Sequence, residues 1–162
     1  MDASVMRSKL KRLTPAQKGY IAGIFDGEGY LYVTEHAGHA FSRIRVRMTD
    51  LSVLRHLKII TGIGTISGYQ PNQKRKDGGQ KKHVFEWGLF KRVEVRDILR
   101  AVRPHLVLKR KHADVLLNFE HLKDQGAGHG YEVERARKAI AKLTTRSTAR
   151  TQAVSSGKWV NF

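Results

Sequence analysis

Two neighbouring carboxylates at the end of an apolar helix are the feature of this sequence best suited to chemistry. Asp26 and Glu28 follow the apolar run 20–25 (YIAGIF) and stand among glycines. A helix C-terminus carries about half a negative charge, so an acidic side chain there is unfavourable by roughly 0.3–1 kcal/mol. A bound cation would offset that repulsion, and the pattern therefore indicates a metal site. A core helix followed by an ordinary acidic turn is the alternative interpretation.

The same helix carries glycine at every fourth position. Gly19, Gly23 and Gly27 therefore lie on one helix face. Each glycine inside a helix is unfavourable by about 1 kcal/mol relative to alanine. Three of them in register predict that another backbone packs very close to this face.

Segment 21–29 (IAGIFDGEG) resembles the signature helix of the LAGLIDADG homing endonucleases. The resemblance extends over roughly residues 13–122 and includes the segments 84–87 (VFEW) and 103–111 (RPHLVLKRK). It implies an α+β fold of order αββαββαα, built on a four-stranded antiparallel saddle-shaped sheet. It also implies a site-specific endonuclease that hydrolyses both strands of double-stranded DNA with Mg²⁺ or another divalent metal.

The resemblance also assigns roles to individual residues. By this match Glu28 is the metal-ligating carboxylate, and the Gly27 carbonyl is its co-ligand. Lys109 corresponds to the active-site lysine beside the metal, and Asp26 to the acidic residue that holds the helix end. The family often has a glutamine at the end of the second strand, where it orders solvent; here Thr49 is the candidate for that position.

A single signature helix in a short chain implies a homodimer that binds a near-palindromic DNA site, because each subunit then contacts one half-site. The partner copy would pack on the glycine-lined face. The residues predicted at the dimer interface are Gly19, Ala22, Gly23 and Asp26.

Composition limits the other possibilities. The chain has 162 residues, which suits one domain, and it has no cysteine, which excludes disulfides, zinc fingers and thiol catalysis. With 31 Lys and Arg against 14 Asp and Glu, its formal charge is +17. Such a surplus predicts a polyanionic partner, nucleic acid first. No apolar run approaches the ~20 residues of a membrane span, so an intracellular location is expected: cytoplasm, nucleoid or an organelle matrix.

Period-two patterns predict the DNA-contacting sheet. In segment 41–48 three arginines alternate with apolar residues, and segment 30–36 alternates in the same way. Two further strands are predicted at 65–69 and 83–89, with a basic hairpin connection at 71–82 between them. The predicted DNA-contacting residues are Tyr30, Tyr32, Thr34, His36, Arg43, Arg45, Arg47, Ser67, Tyr69, Lys74, Arg75, Lys76, Lys81 and Lys82.

Capping signals and apolar spacing predict five helices. Thr14 and Gln17 form a capping box for a helix that runs to about Asp26, and Asp50 or Ser52 caps the next. Further helices are predicted at 91–102, from about 109 to 122, and from 131 to about 143. Residues 1–125 are expected to form the core domain, and residues 126–162 a C-terminal helix with a basic extension.

Two other functions are compatible with these observations. The chain could be a cleavage-inactive regulator that binds DNA, or an RNA-binding intron maturase, on the same fold. A basic RNA-binding or ribosomal protein would have the same charge, although the glycine-lined acidic helix does not suit it. Intron-encoded, intein-encoded and free-standing genes all remain open.

Overall fold

The structure is a computed structural model. It describes residues 10, 12–72, 74, 77–126 and 130–155, with side chains as far as 144. Its elements are α1 (Pro15–Glu28), β1 (Gly29–His36), β2 (His39–Met48), α2 (Leu51–Thr61), β3 (Thr65–Tyr69), β4 (Val84–Leu89), α3 (Arg92–Val102), a 3₁₀ turn (Arg103–His105), α4 (Arg110–Asp124) and α5 (Tyr131–Ser155). The predicted order αββαββαα, followed by a C-terminal helix, is confirmed.

The four strands form one antiparallel sheet in the order β1-β2-β4-β3. β1 and β2 are joined by a two-residue turn in which Ala37 and Gly38 both have positive φ, 49° and 73°. Positive φ at both central residues is the type I′ geometry that matches the twist of a hairpin. The sheet therefore has two central strands, β2 and β4, between the edge strands β1 and β3.

One sheet face is covered by helices and the other is open. The predicted alternation holds: Ile44 and Val46 of β2 and Trp87 and Leu89 of β4 are fully buried. The Trp87 indole N–H donates to the Ile63 carbonyl at 3.1 Å, so its polar atom is satisfied inside the core. All aromatic, hydroxyl and arginine side chains predicted for DNA contact on β1 and β2 consequently point to the open face.

The start of α1 is as predicted, and its end lies two residues later. The Thr14 hydroxyl accepts from the Gln17 amide at 3.2 Å, and the Gln17 side chain accepts from the Thr14 amide at 2.9 Å. The helix continues to Glu28, and β1 begins directly at Gly29. A Cβ at Gly29 would lie 2.6 Å from the Phe25 carbonyl oxygen, so only glycine permits this abrupt change from helix to strand.

The C-terminal helix is longer than expected. α5 runs for 25 residues, from Tyr131 to Ser155, whereas the sequence predicted an end near residue 143 and an irregular extension beyond it. It buries Val133, Ala136 and Ile140 against α4 and β1. Within the part of the chain that the structure describes, neither α5 nor any shorter helix is both apolar and long enough for a bilayer span.

Candidate active site and nucleic-acid interface

The C-terminal end of α1 is held by Asp26. One carboxylate oxygen accepts from the Val107 backbone amide at 2.7 Å, and the other accepts from the Lys109 amide at 2.8 Å. These hydrogen bonds tie segment 107–109 to α1 across more than 80 residues of sequence. Hydrogen bonds to a charged acceptor are among the strongest in proteins, so Asp26 fixes the geometry of this end, as the sequence predicted.

The Lys109 side chain also contacts the end of α1. Its ammonium group donates to the carbonyls of Phe25 at 2.9 Å and Asp26 at 2.7 Å. The Phe25 carbonyl also accepts from the Gly29 amide, whereas the Asp26 carbonyl belongs to the last helical turn, whose carbonyls have no partner within the helix. Burial lowers the pKa of Lys109, and the negative charges of Asp26 and Glu28 partly oppose that shift. The lysine thus places a half-buried positive charge beside Glu28.

Glu28 and Gly27 are the exposed part of this end. Both residues are open to solvent, and no hydrogen bond described outside the helices and strands uses the Gly27 carbonyl. A carboxylate and a carbonyl are suitable ligands for Mg²⁺, which keeps water and substrate phosphates as its remaining ligands. Among the described residues, no group of three or more His, Cys, Asp or Glu side chains could hold a metal by itself.

Thr49 lies at the same end of the sheet. Gly29 pairs with Val46, so Thr49, three residues beyond Val46, extends past the point where β1 begins. It is exposed, and no described contact joins it to Glu28 or Lys109. Its role in ordering solvent stays a prediction.

His112 is a polar residue at this end that the sequence did not single out. It lies one turn after Lys109 on α4 and is buried, with its Nε2 3.5 Å from the Thr144 hydroxyl of α5. Its Nδ1 has no hydrogen-bond partner within the described structure. Burial and the Lys109 charge both lower the pKa of His112, so it is neutral at neutral pH. It connects the Lys109 end of α4 to the C-terminal helix.

The open sheet face is basic and aromatic, as predicted. The rings of Tyr30 and Tyr32 stack with centroids 4.6 Å apart, and the Arg45 guanidinium lies 5.3 Å from the Tyr32 centroid. The Arg43 guanidinium lies 4.7 Å from the Phe41 centroid. These stacked guanidinium groups have a defined orientation, which suits them to read base edges.

The arginine row is interrupted by an acid from the neighbouring strand. Glu86 of β4 pairs in register with Arg47 of β2. Its carboxylate receives Arg47 Nε at 2.6 Å and lies 3.4 Å from Arg45 Nε. The sequence pattern showed no acidic partner within β2 itself, because the partner comes from a strand almost forty residues later. Glu86 therefore holds Arg47 by a hydrogen bond and forms an ion pair with Arg45.

Phe90 covers the middle of the open face. It follows β4 immediately, and a Cβ at Gly88 would lie 2.5 Å from its ring. The ring also lies 5.4 Å from the Arg43 guanidinium and 5.6 Å from that of Arg45. Glycine at position 88 thus provides the space for an exposed aromatic surface between two arginines, a feature that no local sequence signal indicated.

The β3–β4 connection projects from the same end of the sheet as Glu28. Met48 pairs with Phe85, and Phe85 pairs with Gly68, so β2 ends where this connection begins. Lys81 and Lys82 belong to it, and Lys74 forms a bridge with Gln80. Arg75 and Lys76 lie outside the described residues. Ser67 and Tyr69 of β3 are exposed on the open face, as predicted.

The glycine face of α1 has no neighbour among the residues that the structure describes. Apart from the backbone of α1 itself, none of their atoms lies within 4 Å of a Cβ placed at Gly19, Gly23 or Gly27. Nearby, Val107 is 80% exposed and Leu108 is 67% exposed, an unusual state for apolar side chains.

Two other residues predicted at the dimer interface, Ala22 and Asp26, have contacts within their own chain. Ala22 is buried in the core of its own chain, with 1% of its surface exposed, and the Asp26 carboxylate is used within the chain. The Ala22 side chain is therefore not available to a partner, and its place at the predicted interface was wrong. Asp26 is partly exposed, and its place at the interface stays a prediction.

Comparison with known proteins identifies this architecture. The sequence matches no protein-family model and no curated protein. Solved structures do match. The archaeal intron-encoded homing endonuclease I-Vdi141I complexed with DNA is similar over 80% of this chain and 83% of its own, with 18% identity and a TM-score of 0.58. The homing endonuclease I-CvuI, in complex with the I-CreI target, is similar over 80% and 81%, with 20% identity and a TM-score of 0.56.

The chain has the LAGLIDADG homing-endonuclease fold. The LAGLIDADG homing endonuclease I-SmaMI bound to cleaved DNA agrees over 82% of this chain but only 43% of its own, with 17% identity and a TM-score of 0.54. One chain of the present length therefore corresponds to rather less than half of that larger LAGLIDADG protein.

Proposed function

We propose that this chain is a site-specific DNA endonuclease that acts as a homodimer and uses a divalent metal, Mg²⁺ or a similar ion. The observation that carries the proposal is the end of α1. An exposed carboxylate, Glu28, is held rigidly by the Asp26–Lys109 contacts in a chain with a charge of +17. A protein that only bound DNA would gain nothing from an exposed carboxylate beside a basic surface.

The open face of the sheet supports duplex DNA as the substrate. A two-stranded β-ribbon fits the major groove, and here the central strand β2 carries the arginines that would contact base edges. The basic β3–β4 connection lies towards Glu28, where it would follow the phosphate backbone. Specificity would then come from Arg43, Arg45 and Arg47, with the polar side chains of β1 beside them.

A homodimer is the arrangement that completes the site. In the described part of the chain, nothing contacts the face of the three helical glycines and explains them, whereas close packing of a second copy would. Val107 and Leu108 would then be covered at the rim of the interface. The twofold axis would bring two Glu28 side chains together, and each copy would provide one of them for one DNA strand.

The residues present fit a Mg²⁺ ion. Glu28 and the Gly27 carbonyl would hold it, and when bound it activates water and neutralises charge on the scissile phosphate. Two other residues of the chain would have roles beside the metal. Asp26 orients the end of α1, and Lys109 adds positive charge beside the reacting phosphate. Without a cation the two Glu28 carboxylates would repel each other, so metal and DNA are expected to bind together.

Cleavage of a plasmid library tests the proposal. A supercoiled library with randomised inserts is incubated with the protein and either Mg²⁺ or EDTA, and the linear products are captured and sequenced. We expect cutting at one near-palindromic sequence family, only with Mg²⁺, and its loss in Glu28→Gln with duplex binding retained. Sequence-specific binding without cutting by the wild type would instead indicate a regulator, and tight binding to structured RNA alone would indicate a maturase.

A further inference from the structure

The C-terminal helix lies beside the predicted DNA-binding face. α5 packs against α4 and β1, and its Thr144 contacts His112 in the first turn of α4. α4 runs away from the Glu28 end, since Lys123 near its C-terminus donates to the Ala40 carbonyl beside the β1–β2 turn. α5 therefore returns along edge strand β1 towards the Glu28 end.

A groove lies between α5 and β1, beside the contacts that join them. It has a volume of about 510 Å³ and is open to solvent. Three of its residues on β1 belong to the open sheet face, so the groove is continuous with the surface proposed to contact DNA. It is lined by Tyr30, Tyr32, Val33 and Thr34 from β1 and by Arg137, Ile140, Ala141 and Thr144 from α5.

Arg137 is the charged side chain in this groove. It is exposed, and no acidic residue pairs with it among the residues described. On the same helix Lys138 is paired, with its Nζ 3.4 Å from Glu134. The Arg45 guanidinium, over the Tyr32 ring, brings a second positive charge close to the same wall. An unpaired guanidinium beside another cation is a favourable position for an anionic group.

We propose that α5 is a second wall of the DNA-binding surface and that Arg137 binds a phosphate of the duplex backbone along the β1 edge. The proposal rests on the proposed DNA-binding function. Four strands spaced about 4.8 Å apart span roughly 14 Å, somewhat more than the ~12 Å width of the major groove. The central strands would then lie over the bases, while the β1 edge and α5 meet the sugar–phosphate backbone. Phosphate contacts there set the register of the protein on its site.

The chain offers a matched control for Arg137. Arg135 lies two positions earlier on α5, is also exposed, and is about 200° away around the helix, so it does not line the groove. Replacing either arginine with alanine removes one positive charge from the same exposed helix. A long-range charge effect would affect both variants equally, whereas a phosphate contact would affect only one.

The experiment measures duplex affinity as a function of salt for the full chain, Arg137→Ala, Arg135→Ala and Arg137→Lys. For Arg137→Ala we expect the log–log salt slope to decrease in magnitude by about 0.9 per protomer, with weaker binding to every sequence tested. Arg137→Lys should keep most of the slope, and Arg135→Ala should match the wild type.

Equal slopes for the two alanine variants would overturn the role of α5 while leaving DNA binding intact. A wild-type protein that binds no duplex would overturn both this inference and the proposed function.

Discussion

Asp26 and Lys109 hold each other's backbone: the Asp26 carboxylate accepts from the Lys109 amide, and the Lys109 ammonium donates to the Asp26 carbonyl. Because each residue contacts the main chain of the other, the end of α1 and segment 107–109 are joined as one unit. Four hydrogen bonds in all, including those to Val107 and Phe25, position Glu28 without involving its own carboxylate.

The Asp26 contacts predict a large effect on stability. In Asp26→Asn the remaining side-chain oxygen can still accept one of the two hydrogen bonds. The side-chain NH₂ group replaces the other oxygen and faces a backbone N–H, which is left without an acceptor. We expect a loss of about 1–3 kcal/mol in the free energy of unfolding, measured by urea denaturation. Asp114→Asn is the control, because the Arg103–Asp114 pair is exposed and should contribute at most about 1 kcal/mol. Equal effects of the two substitutions would contradict the assignment.

The depressed pKa of Lys109 predicts a pH dependence with a definite sign. The folded state releases the Lys109 proton more easily than the unfolded state, in which the pKa is close to 10.5. The unfolded chain then binds more protons in the window below 10.5, so this group makes stability rise with pH there. The unfolding free energy of the wild type minus that of Lys109→Met should therefore increase as pH approaches 10.5. A constant or decreasing difference in urea titrations would show that the lysine is not desolvated.

Gly23 predicts opposite effects on folding and on assembly. An alanine Cβ there would meet no other described residue within 4 Å, apart from the backbone of α1 itself, and alanine favours the helix by about 1 kcal/mol. The monomer of Gly23→Ala should therefore unfold at a higher urea concentration than the wild-type monomer. In sedimentation, however, the variant should remain a monomer at concentrations at which the wild type is a dimer. The increased stability is the internal control, because it shows that the variant is folded. A dimer of unchanged affinity would remove the glycine face from the interface.

Glu86 predicts a change in the discrimination between DNA sequences. Glu86→Gln releases Arg45 and Arg47 from their carboxylate partner, so binding to random-sequence duplex should become tighter, with a steeper salt slope. The ratio of cognate to random affinity should fall, because the arginines lose their fixed orientation. Competition binding measures this ratio, and Glu134→Gln, which makes the same charge change on exposed α5, should leave it unchanged. Stability should change by less than about 1 kcal/mol, since both arginines are partly exposed.

Much of the fold follows from short-range patterns. The Thr14–Gln17 capping box, the Asp50 cap of α2 and the period of two in β2 are each determined within a few residues, and the structure confirms all three. The Asp26 contacts were expected only through the resemblance of α1, because their donors lie in segment 107–109. The identity of a capping residue is a local property, whereas the partner that a side chain meets across the fold is not.

The missed features depend on relations that no short segment contains. The Glu86–Arg47 pair requires the register between β2 and β4. Ala22 was assigned to the glycine face, although successive helical residues are about 100° apart and this one turns towards the core. The end of α5 was placed too early because its Thr- and Ser-containing second half has weak helix propensity.

The position of α5 has a consequence for solubility. An unprotected edge strand can add a strand from another molecule, and long edges are the most hazardous. Here the eight-residue edge β1 has a helix along it, whereas the other edge, β3, has only five residues. Loss of the C-terminal helix would therefore expose the longer edge to intermolecular strand pairing and make the protein prone to aggregate.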